Sequence, residues 1–331
     1  MSAPLPWYLL GAGNMGTLAA HYLSAARLPV IVLRRDDALN ADRTASLNKA
    51  LGLNKVLTFA DGRAPQSLSL PALPRSQWAS LPPLRQLIVA CKTPYSAAAL
   101  AGLPLADNVL VLRLQNGLGS LDGLLPTNAR LIEVVTTSAV KGHHPEHQLV
   151  AENQTWMGPA AATGNHAAAG HEAVGDHEGE ASSRAPAWFT PLARHWPGLE
   201  WTQPIRYRQW HKLVANALIN PLTGLHDLPN GALLDDPVLH RQMAELAAEA
   251  DALLTRLDAG WPGDSLPRVE AIARATAGNT SSMRADMQRG TVTEIDAING
   301  WLLDQAARLG LALPAHQAIV AAVRARQTGS A

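Results

Sequence analysis

The sequence predicts an α/β protein, with a Rossmann-type, doubly wound sheet in its first part and an all-helical domain in its second. In the first part, short apolar runs alternate with helical stretches, which is typical of buried parallel strands with helices on both faces. Beyond about residue 203, the spacing of Leu, Met, Ala and Ile becomes helical. We therefore expect two domains, covering residues 1–203 and 204–331.

The individual elements follow from the same patterns. Four apolar runs and two weaker segments predict strands at residues 7–10, 30–33, 87–90, 109–112, 131–136 and 149–157. Helical spacing predicts helices at residues 236–257, 265–277, 293–309 and 315–325. Ser265 is a candidate cap for the second of these helices, and Gly310 follows the third.

The composition excludes several classes of protein. Lys plus Arg and Asp plus Glu both number 27, so no net basic charge indicates nucleic-acid binding. The single cysteine, Cys91, excludes a disulfide framework and a cysteine-rich metal site. No apolar run reaches the roughly 18 residues that span a bilayer, and the N-terminus does not resemble a signal peptide. We expect a soluble, cytoplasmic protein without a metal, and leave open whether it is a monomer or a homodimer.

Between about residues 159 and 186 the composition changes to Ala, Gly, His and Glu without a core pattern. We interpret this segment as a mobile surface insertion. Six of the twelve histidines lie between His143 and His177, but no acidic or cysteine partner has a recognisable ligand spacing. A solvated loop is therefore favoured over a metal site.

A glycine motif predicts a dinucleotide site. It follows the first strand, opens a helix, and consists of Gly11, Ala12, Gly13, Asn14, Met15 and Gly16. The three glycines permit a tight turn, close approach of a pyrophosphate and close packing of the helix, whose N-terminus offers amides to the phosphates.

The end of the second strand bears on which dinucleotide is bound. An arginine there can hold the extra phosphate of NADP, whereas an acidic residue accepts hydrogen bonds from the ribose of NAD. Arg34 and Arg35 precede Asp36 and Asp37, so NADP is favoured. Asp36 keeps NAD open as a second choice, and either arginine alone could be an ordinary surface charge.

Polar residues also follow two later strands. Lys92 follows the strand at 87–90, and Asn116 with Gly117 follows the strand that begins at residue 109, taken here to reach residue 114. Because open α/β sheets bind their ligands at the carboxyl ends of strands, both positions are candidates for cofactor or substrate contacts.

A polar stripe marks the apolar segment that begins at His211. Lys212, Asn216 and Asn220 are four residues apart, so in a helix they share one face. Such a face could be solvent-exposed or could bind a substrate. Pro221 lacks a backbone N–H, and we therefore expect the helix to end or bend near Asn220.

Together these motifs resemble the 2-dehydropantoate 2-reductase, or ketopantoate reductase, family. The resemblance covers nearly the whole chain except the insertion. Its more specific motifs lie in the second half, at residues 212–224, 229–231, 281–283, 293–296 and 298–300. The glycine motif, Lys92, and residues 116–117 and 137–139 match the first half.

The resemblance implies NADPH-dependent reduction of 2-dehydropantoate to pantoate, for pantothenate and coenzyme A synthesis. It implies that Lys212 and Glu294 are catalytic. The 2-oxo acid would be bound by Lys212, Asn216, Asn220, Asn230, Asn279 and Ser282. Besides the glycine motif, NADP would contact Arg35, Lys92, Asn116, Ala139 and Glu294. The doubled arginine leaves open whether Arg34 or Arg35 meets the phosphate. The alternatives are a related enzyme acting on another oxo acid and a non-catalytic NADP-binding regulator.

Overall fold

The computed structural model describes residues 4–35, 51–160 and 184–328. The chain divides into two compact units. The first comprises residues 1–91, 95–115 and 123–206, and the second comprises residues 92–94, 116–122 and 207–331. The first unit is built on a mostly parallel sheet and the second on helices, which confirms the predicted fold class.

A single sheet dominates the first unit. Its described strands are β1 (Trp7–Leu10), β2 (Val30–Arg34), β3 (Leu51–Phe59), β4 (Gln66–Pro74), β5 (Leu84–Val89), β6 (Leu105–Arg113), β7 (Arg130–Thr136), β8 (Ala139–His143), β9 (Glu146–Ala151), β10 (Thr155–Pro159) and β11 (Leu199–Trp201). They lie in the order β11-β10-β7-β6-β5-β1-β2-β4-β3-β9-β8.

The central strands are the apolar runs from which the sheet is predicted, and they are buried and mostly parallel. β1 pairs in parallel with β2 and β5, and β6 and β7 continue the parallel arrangement. Trp7 and Leu9 of β1 are completely buried, as expected where a sheet is covered on both faces. Because these strands are parallel, β1, β2, β5 and β6 end at the same edge of the sheet.

The prediction of one strand at residues 149–157 is wrong. The segment forms parts of two strands: β9 pairs with β3 and β8, whereas β10 pairs with β7 and β11. The polar residues between them make loop contacts instead of ladder bonds. The backbone N–H of Asn153 donates to Ser138 Oγ, and its side-chain amide donates to the Thr137 carbonyl. Strands β3, β4, β8 and β11 were not predicted.

The described α-helices of the first unit are α1 (Asn14–Ala25), α2 (Ser96–Leu100) and α3 (Phe189–Ala193), and a 3₁₀ helix covers Arg75–Ser80. Most of the predicted insertion at 159–186 lies outside the described residues, as do Asp36 and Asp37.

The second part of the chain is helical. Its helices are α4 (Arg206–His226), α5 (Ala232–Asp235), α6 (Pro237–Leu257), α7 (Ser265–Ala275), α8 (Ser282–Gln288), a π-helical turn (Asp296–Gly300), α9 (Trp301–Arg308) and α10 (Pro314–Thr328). The predicted cap of α7 is wrong. Ser265 is the first residue of that helix, and its hydroxyl donates to the Asp251 carboxylate, which also accepts the Ser265 backbone N–H.

Pro221 predicts that α4 ends or bends near Asn220. The helix does not end there but continues through Pro221 to His226. Proline cannot donate to the carbonyl of Ala217, four residues earlier. The side-chain amide of Asn299, in the π-helical turn, donates to that carbonyl instead, at 3.0 Å. A distant side chain thus satisfies the backbone group that the proline leaves open.

Asn299 belongs to a buried polar network. Its side-chain amide also donates to His316 Nδ1 at 3.1 Å, and His316 Nε2 donates to the Leu246 carbonyl at 3.0 Å. A carbonyl can only accept, so the proton of the neutral imidazole resides on Nε2. Burial lowers the pKa of His316, which favours this neutral form.

We expect Asn299→Leu to lower the free energy of unfolding by about 2–4 kcal/mol, because it leaves two buried acceptors, the Ala217 carbonyl and His316 Nδ1, without their donor. Urea unfolding monitored by tryptophan fluorescence measures the change. The control is Asn108→Leu at an exposed position of β6, which should change stability by less than about 0.5 kcal/mol. Equal stabilities of the two variants would show that the network does not compensate for Pro221.

Candidate active site

The predicted glycine motif forms the turn between β1 and α1. Gly11 has a φ of +92°, and a Cβ at this position would lie 2.2 Å from the backbone nitrogen of Cys91. A Cβ on Gly16 would lie 2.0 Å from the Gly11 carbonyl oxygen. Both positions therefore require glycine, for the turn and for close packing of the helix.

The start of α1 is suited to phosphate. Gly13 is the N-cap residue and supplies no side-chain cap, and the first turn contains no acidic residue. A Cβ on Gly13 would have no neighbour within 4 Å, so the backbone here is open to a ligand. Uncapped amides and the helix dipole together favour an anion, and the turn fits a dinucleotide pyrophosphate.

The other cofactor positions predicted in the first unit are at strand ends. Arg34 is the last residue of β2 and is half-buried, whereas Arg35 is exposed. The Arg35 guanidinium carbon lies 6.0 Å from the centroid of the Tyr95 ring. Ala139 is the exposed first residue of β8 and pairs with Ala151. No hydrogen bond between described residues joins Ala139 to the glycine turn.

In the second unit, the buried carboxylate of Glu294 organises the predicted residues. One oxygen accepts the backbone N–H of Thr93 at 3.2 Å, and the other accepts the side-chain amide of Asn116 at 3.0 Å. Burial raises the pKa of Glu294, while these two hydrogen bonds and the charge of Lys92 oppose that rise. The carboxylate thereby holds the residues that follow β5 and β6.

The loop that contains Asn116 is seated on the π-helical turn. Gly117 has a φ of +72°, and a Cβ there would lie 2.2 Å from the Ala297 carbonyl oxygen. The Leu118 backbone N–H donates to the same oxygen at 2.8 Å. The close approach that Gly117 permits therefore positions the Asn116 side chain against Glu294.

Lys212 lies half-buried on α4. Burial lowers the pKa of its ammonium group to about 8, and the negative charge of Glu294 acts in the opposite direction. Within its own unit, the described residues provide neither a hydrogen bond nor an ion pair to Lys212, and the same holds for the half-buried Asn216. A lysine with this pKa can donate a proton near neutral pH.

The third residue of the stripe, Asn220, is buried and donates to the Ser282 hydroxyl at 3.4 Å. The neighbouring Ser281 hydroxyl lies 2.7 Å from that of Thr223, and it caps α8 by accepting the Arg284 backbone N–H. Ser281, and not Ser282, is thus the helix cap, which leaves the exposed Ser282 hydroxyl beside Asn220.

Asn230 and Asn279 are joined through the backbone. The Asn230 N–H donates to the Asn279 carbonyl at 3.1 Å, and its side-chain amide donates to Thr276 Oγ1 at 3.0 Å. Asn230 Oδ1 is buried without a hydrogen-bond partner in the described part of the chain. A buried acceptor without a donor is unfavourable unless a ligand donates to it. The Asn279 side chain, in contrast to that of Asn230, is exposed.

The sequence did not reveal the partner of Lys92. Its ammonium group pairs with the buried carboxylate of Asp286, which also accepts a hydrogen bond from Arg289 at 2.7 Å. Asp286 lies four residues after Ser282 on α8, so the two share a helix face. That spacing is the signal that could have identified it.

Glu294 also lines a cavity of about 390 Å³. It is lined by residues of the 93–94 and 118–122 loops and of the 293–308 segment, among them Trp301 and Arg308. Neither Lys212 nor the asparagines of α4 line it. The cavity therefore does not coincide with the residues predicted to bind substrate.

The described residues lack two other features that would indicate a function. They contain no group of three His, Cys, Asp or Glu side chains arranged to hold a metal ion. None of their helices is long and apolar enough to cross a membrane.

Comparisons with known proteins place these features in one family. The family model for ketopantoate reductase PanE/ApbA matches residues 7–162, and the model for its C-terminal part matches residues 204–327. The 2-dehydropantoate 2-reductase of Archaeoglobus fulgidus is 26% identical over 321 residues, which cover 97% of each chain. That of Shigella flexneri is 30% identical over 227 residues, covering 68% of this chain and 67% of the relative.

Solved structures show the same fold. The dimeric ketopantoate reductase of Staphylococcus aureus has a TM-score of 0.74 at 16% identity, covering 99% of this chain and 100% of that one. D-mandelate dehydrogenase, solved with NADH and anilino(oxo)acetate, has a TM-score of 0.76 at 17% identity, covering 98% and 99%. The fold thus occurs in enzymes with different substrates. From the two family models and the bacterial relative, the chain belongs to the ketopantoate reductase PanE/ApbA family.

Proposed function

We propose that the chain is an NADP-dependent 2-dehydropantoate 2-reductase that reduces ketopantoate to pantoate, for pantothenate and coenzyme A synthesis. The observation that carries this proposal is Lys212, an amine without a hydrogen bond in its unit. Burial lowers its pKa to about 8, although the negative charge of Glu294 opposes that change. Membership of the family supports the substrate, since the relatives compared above carry that name.

The residues present fit a nicotinamide dinucleotide. The turn at residues 11–16 would hold the pyrophosphate, and Arg35, with Arg34 as the alternative, would hold the 2′-phosphate. Ala139, Lys92, Asn116 and Glu294 would also contact the cofactor. When bound, the reduced nicotinamide supplies a hydride.

Lys212 would complete the reduction. As the ketone carbon gains a hydride, negative charge develops on its oxygen, and a nearby ammonium group stabilises that charge. Lys212 then transfers a proton to the oxygen, which yields the alcohol and leaves a neutral amine. A pKa near the working pH suits this role, because the amine recovers its proton from water without a large energetic cost.

The polar residues around Lys212 would orient the substrate. Asn216 and Asn220 lie on its face of α4, and Ser282 contacts Asn220. The unsatisfied Oδ1 of Asn230 can accept a hydrogen bond from the substrate's hydroxyl group. With Asn279, these residues would bind the carboxylate and hydroxyl and hold the ketone in place.

The fold alone does not determine the substrate, as the likeness to D-mandelate dehydrogenase illustrates. A 2-oxo acid other than ketopantoate is therefore the second candidate. Because the S. aureus enzyme is dimeric, we include a homodimer in the proposal.

We expect Lys212→Met to lower the turnover of ketopantoate with NADPH by about 100-fold or more, the usual effect of removing a general acid. Absorbance of NADPH at saturating ketopantoate measures turnover. Lys141→Met, at an exposed position of β8, is the control and should retain normal turnover.

The same assay with 2-oxo acids that lack the hydroxyl group of ketopantoate decides between the two candidates. If the enzyme turns over one of these acids faster than ketopantoate, that acid is the better candidate for the substrate. Normal turnover of Lys212→Met with the preferred acid would contradict the role of the lysine.

We expect Arg35→Ala to weaken NADPH binding by about tenfold or more and to leave NADH binding nearly unchanged, because only NADPH carries the 2′-phosphate. Quenching of protein fluorescence gives both dissociation constants. Arg34→Ala is the matched variant. If Arg35→Ala weakens both cofactors equally, or neither, Arg35 is not the phosphate ligand.

A further inference from the structure

Lys55, on β3, is a buried cation beside the glycine turn. Only 2% of its surface is exposed. Its ammonium group donates to the carbonyl of Ala12, inside the turn, and lies 2.9 Å from His147 Nε2. No carboxylate among the described residues pairs with it. A buried charge normally has an ionic partner, so Lys55 lacks the one expected.

His147 connects Lys55 to the start of α1. Because an ammonium group can only donate, His147 Nε2 accepts from Lys55, and the ring proton is on Nδ1. Nδ1 then donates to Asn14 Oδ1 at 2.8 Å. This chain of hydrogen bonds occupies the carbonyl oxygen of the Asn14 side chain and leaves its NH₂ group to donate elsewhere.

The groups around Lys55 are basic as well. Burial and the charge of Arg34 lower the pKa of Lys55 to about 8. Burial together with the charges of Lys55 and Arg34 also lowers the pKa of His144. The pKa of His147 falls to about 4 through burial and the same lysine. The charges that act on Lys55 and on these two histidines are therefore basic ones.

We propose that Lys55 is a ligand-site cation whose missing partner is a phosphate group of the bound dinucleotide, with His147 and Asn14 orienting the turn toward the same anion. This inference rests on the proposed function, since it requires the dinucleotide. It adds a residue from a strand remote in sequence to the phosphate site formed by the glycine motif and Arg35.

A purely structural role makes a different prediction. If Lys55 only braced the Ala12 carbonyl, its removal would destabilise the free protein. If only a bound anion neutralises Lys55, removing the charge removes an uncompensated buried charge from the free protein. The free protein is then at least as stable, while ligand binding weakens. Stability and affinity should therefore change in opposite directions.

The experiment measures melting temperature and the dissociation constants of NADPH and NADH for the wild type, Lys55→Met and Lys55→Gln. Glutamine retains a donor for the Ala12 carbonyl but carries no charge. It therefore separates the effect of the charge from that of the hydrogen bond, and it keeps the test possible if the methionine variant does not fold. Lys141→Met, on the exposed part of β8, is the matched control.

We expect Lys55→Gln, which keeps a donor for the Ala12 carbonyl, to melt no lower than the wild type, and both Lys55 variants to bind NADPH about tenfold or more weakly. Equal weakening of NADH assigns the pyrophosphate as the partner, and weakening of NADPH alone assigns the 2′-phosphate. Wild-type affinity in Lys55→Gln, or reduced stability with unchanged affinity, would overturn the proposal. Failure of the wild type to bind either cofactor would instead refute the proposed function.

Discussion

The arrangement of the candidate site depends on the buried carboxylate of Glu294. Its two oxygens accept one backbone and one side-chain N–H, from Thr93 and Asn116, and its charge acts on Lys212. Burial of a carboxylate is unfavourable unless its oxygens are bonded, so the donors and the glutamate require one another. The π-helical turn begins two residues after Glu294 and receives the Asn116 loop. One acidic side chain therefore organises both strand-end loops and the electrostatics of the lysine.

The same physical rule recurs wherever a polar group is buried in this chain. Pro221 leaves a carbonyl open inside α4, and Asn299 satisfies it from a segment distant in sequence. Asp286 is buried but contacts two cations. Where the partner is missing, the position is informative: Lys55 has no described anion, Asn230 Oδ1 has no described donor, and Lys212 has no hydrogen bond in its unit. In the first two cases the missing partner has the chemistry of a ligand, and the third group is a proton donor.

Features that depend on local spacing could be predicted from the sequence. The glycine turn, the central strands and the shared face of Lys212 and Asn220 follow from steric rules and helical periodicity. Features that depend on distant contacts could not. The path of α4 beyond Pro221 relies on Asn299, and Lys92 pairs with a residue 194 positions away. Between β9 and β10, Asn153 bonds to Ser138 and to the Thr137 carbonyl, and the spacing of residues along the chain does not reveal such contacts.

The pH dependence of ketopantoate turnover in the wild type and Glu294→Gln tests the central claim most directly. If Lys212 donates the proton, wild-type turnover falls as pH rises through about 8. Glutamine removes the negative charge that raises the pKa of Lys212, so the midpoint of this fall should move to lower pH, whatever the absolute rate. An unchanged midpoint, or no loss of turnover between about pH 7 and pH 10, would contradict the coupling of Lys212 to Glu294.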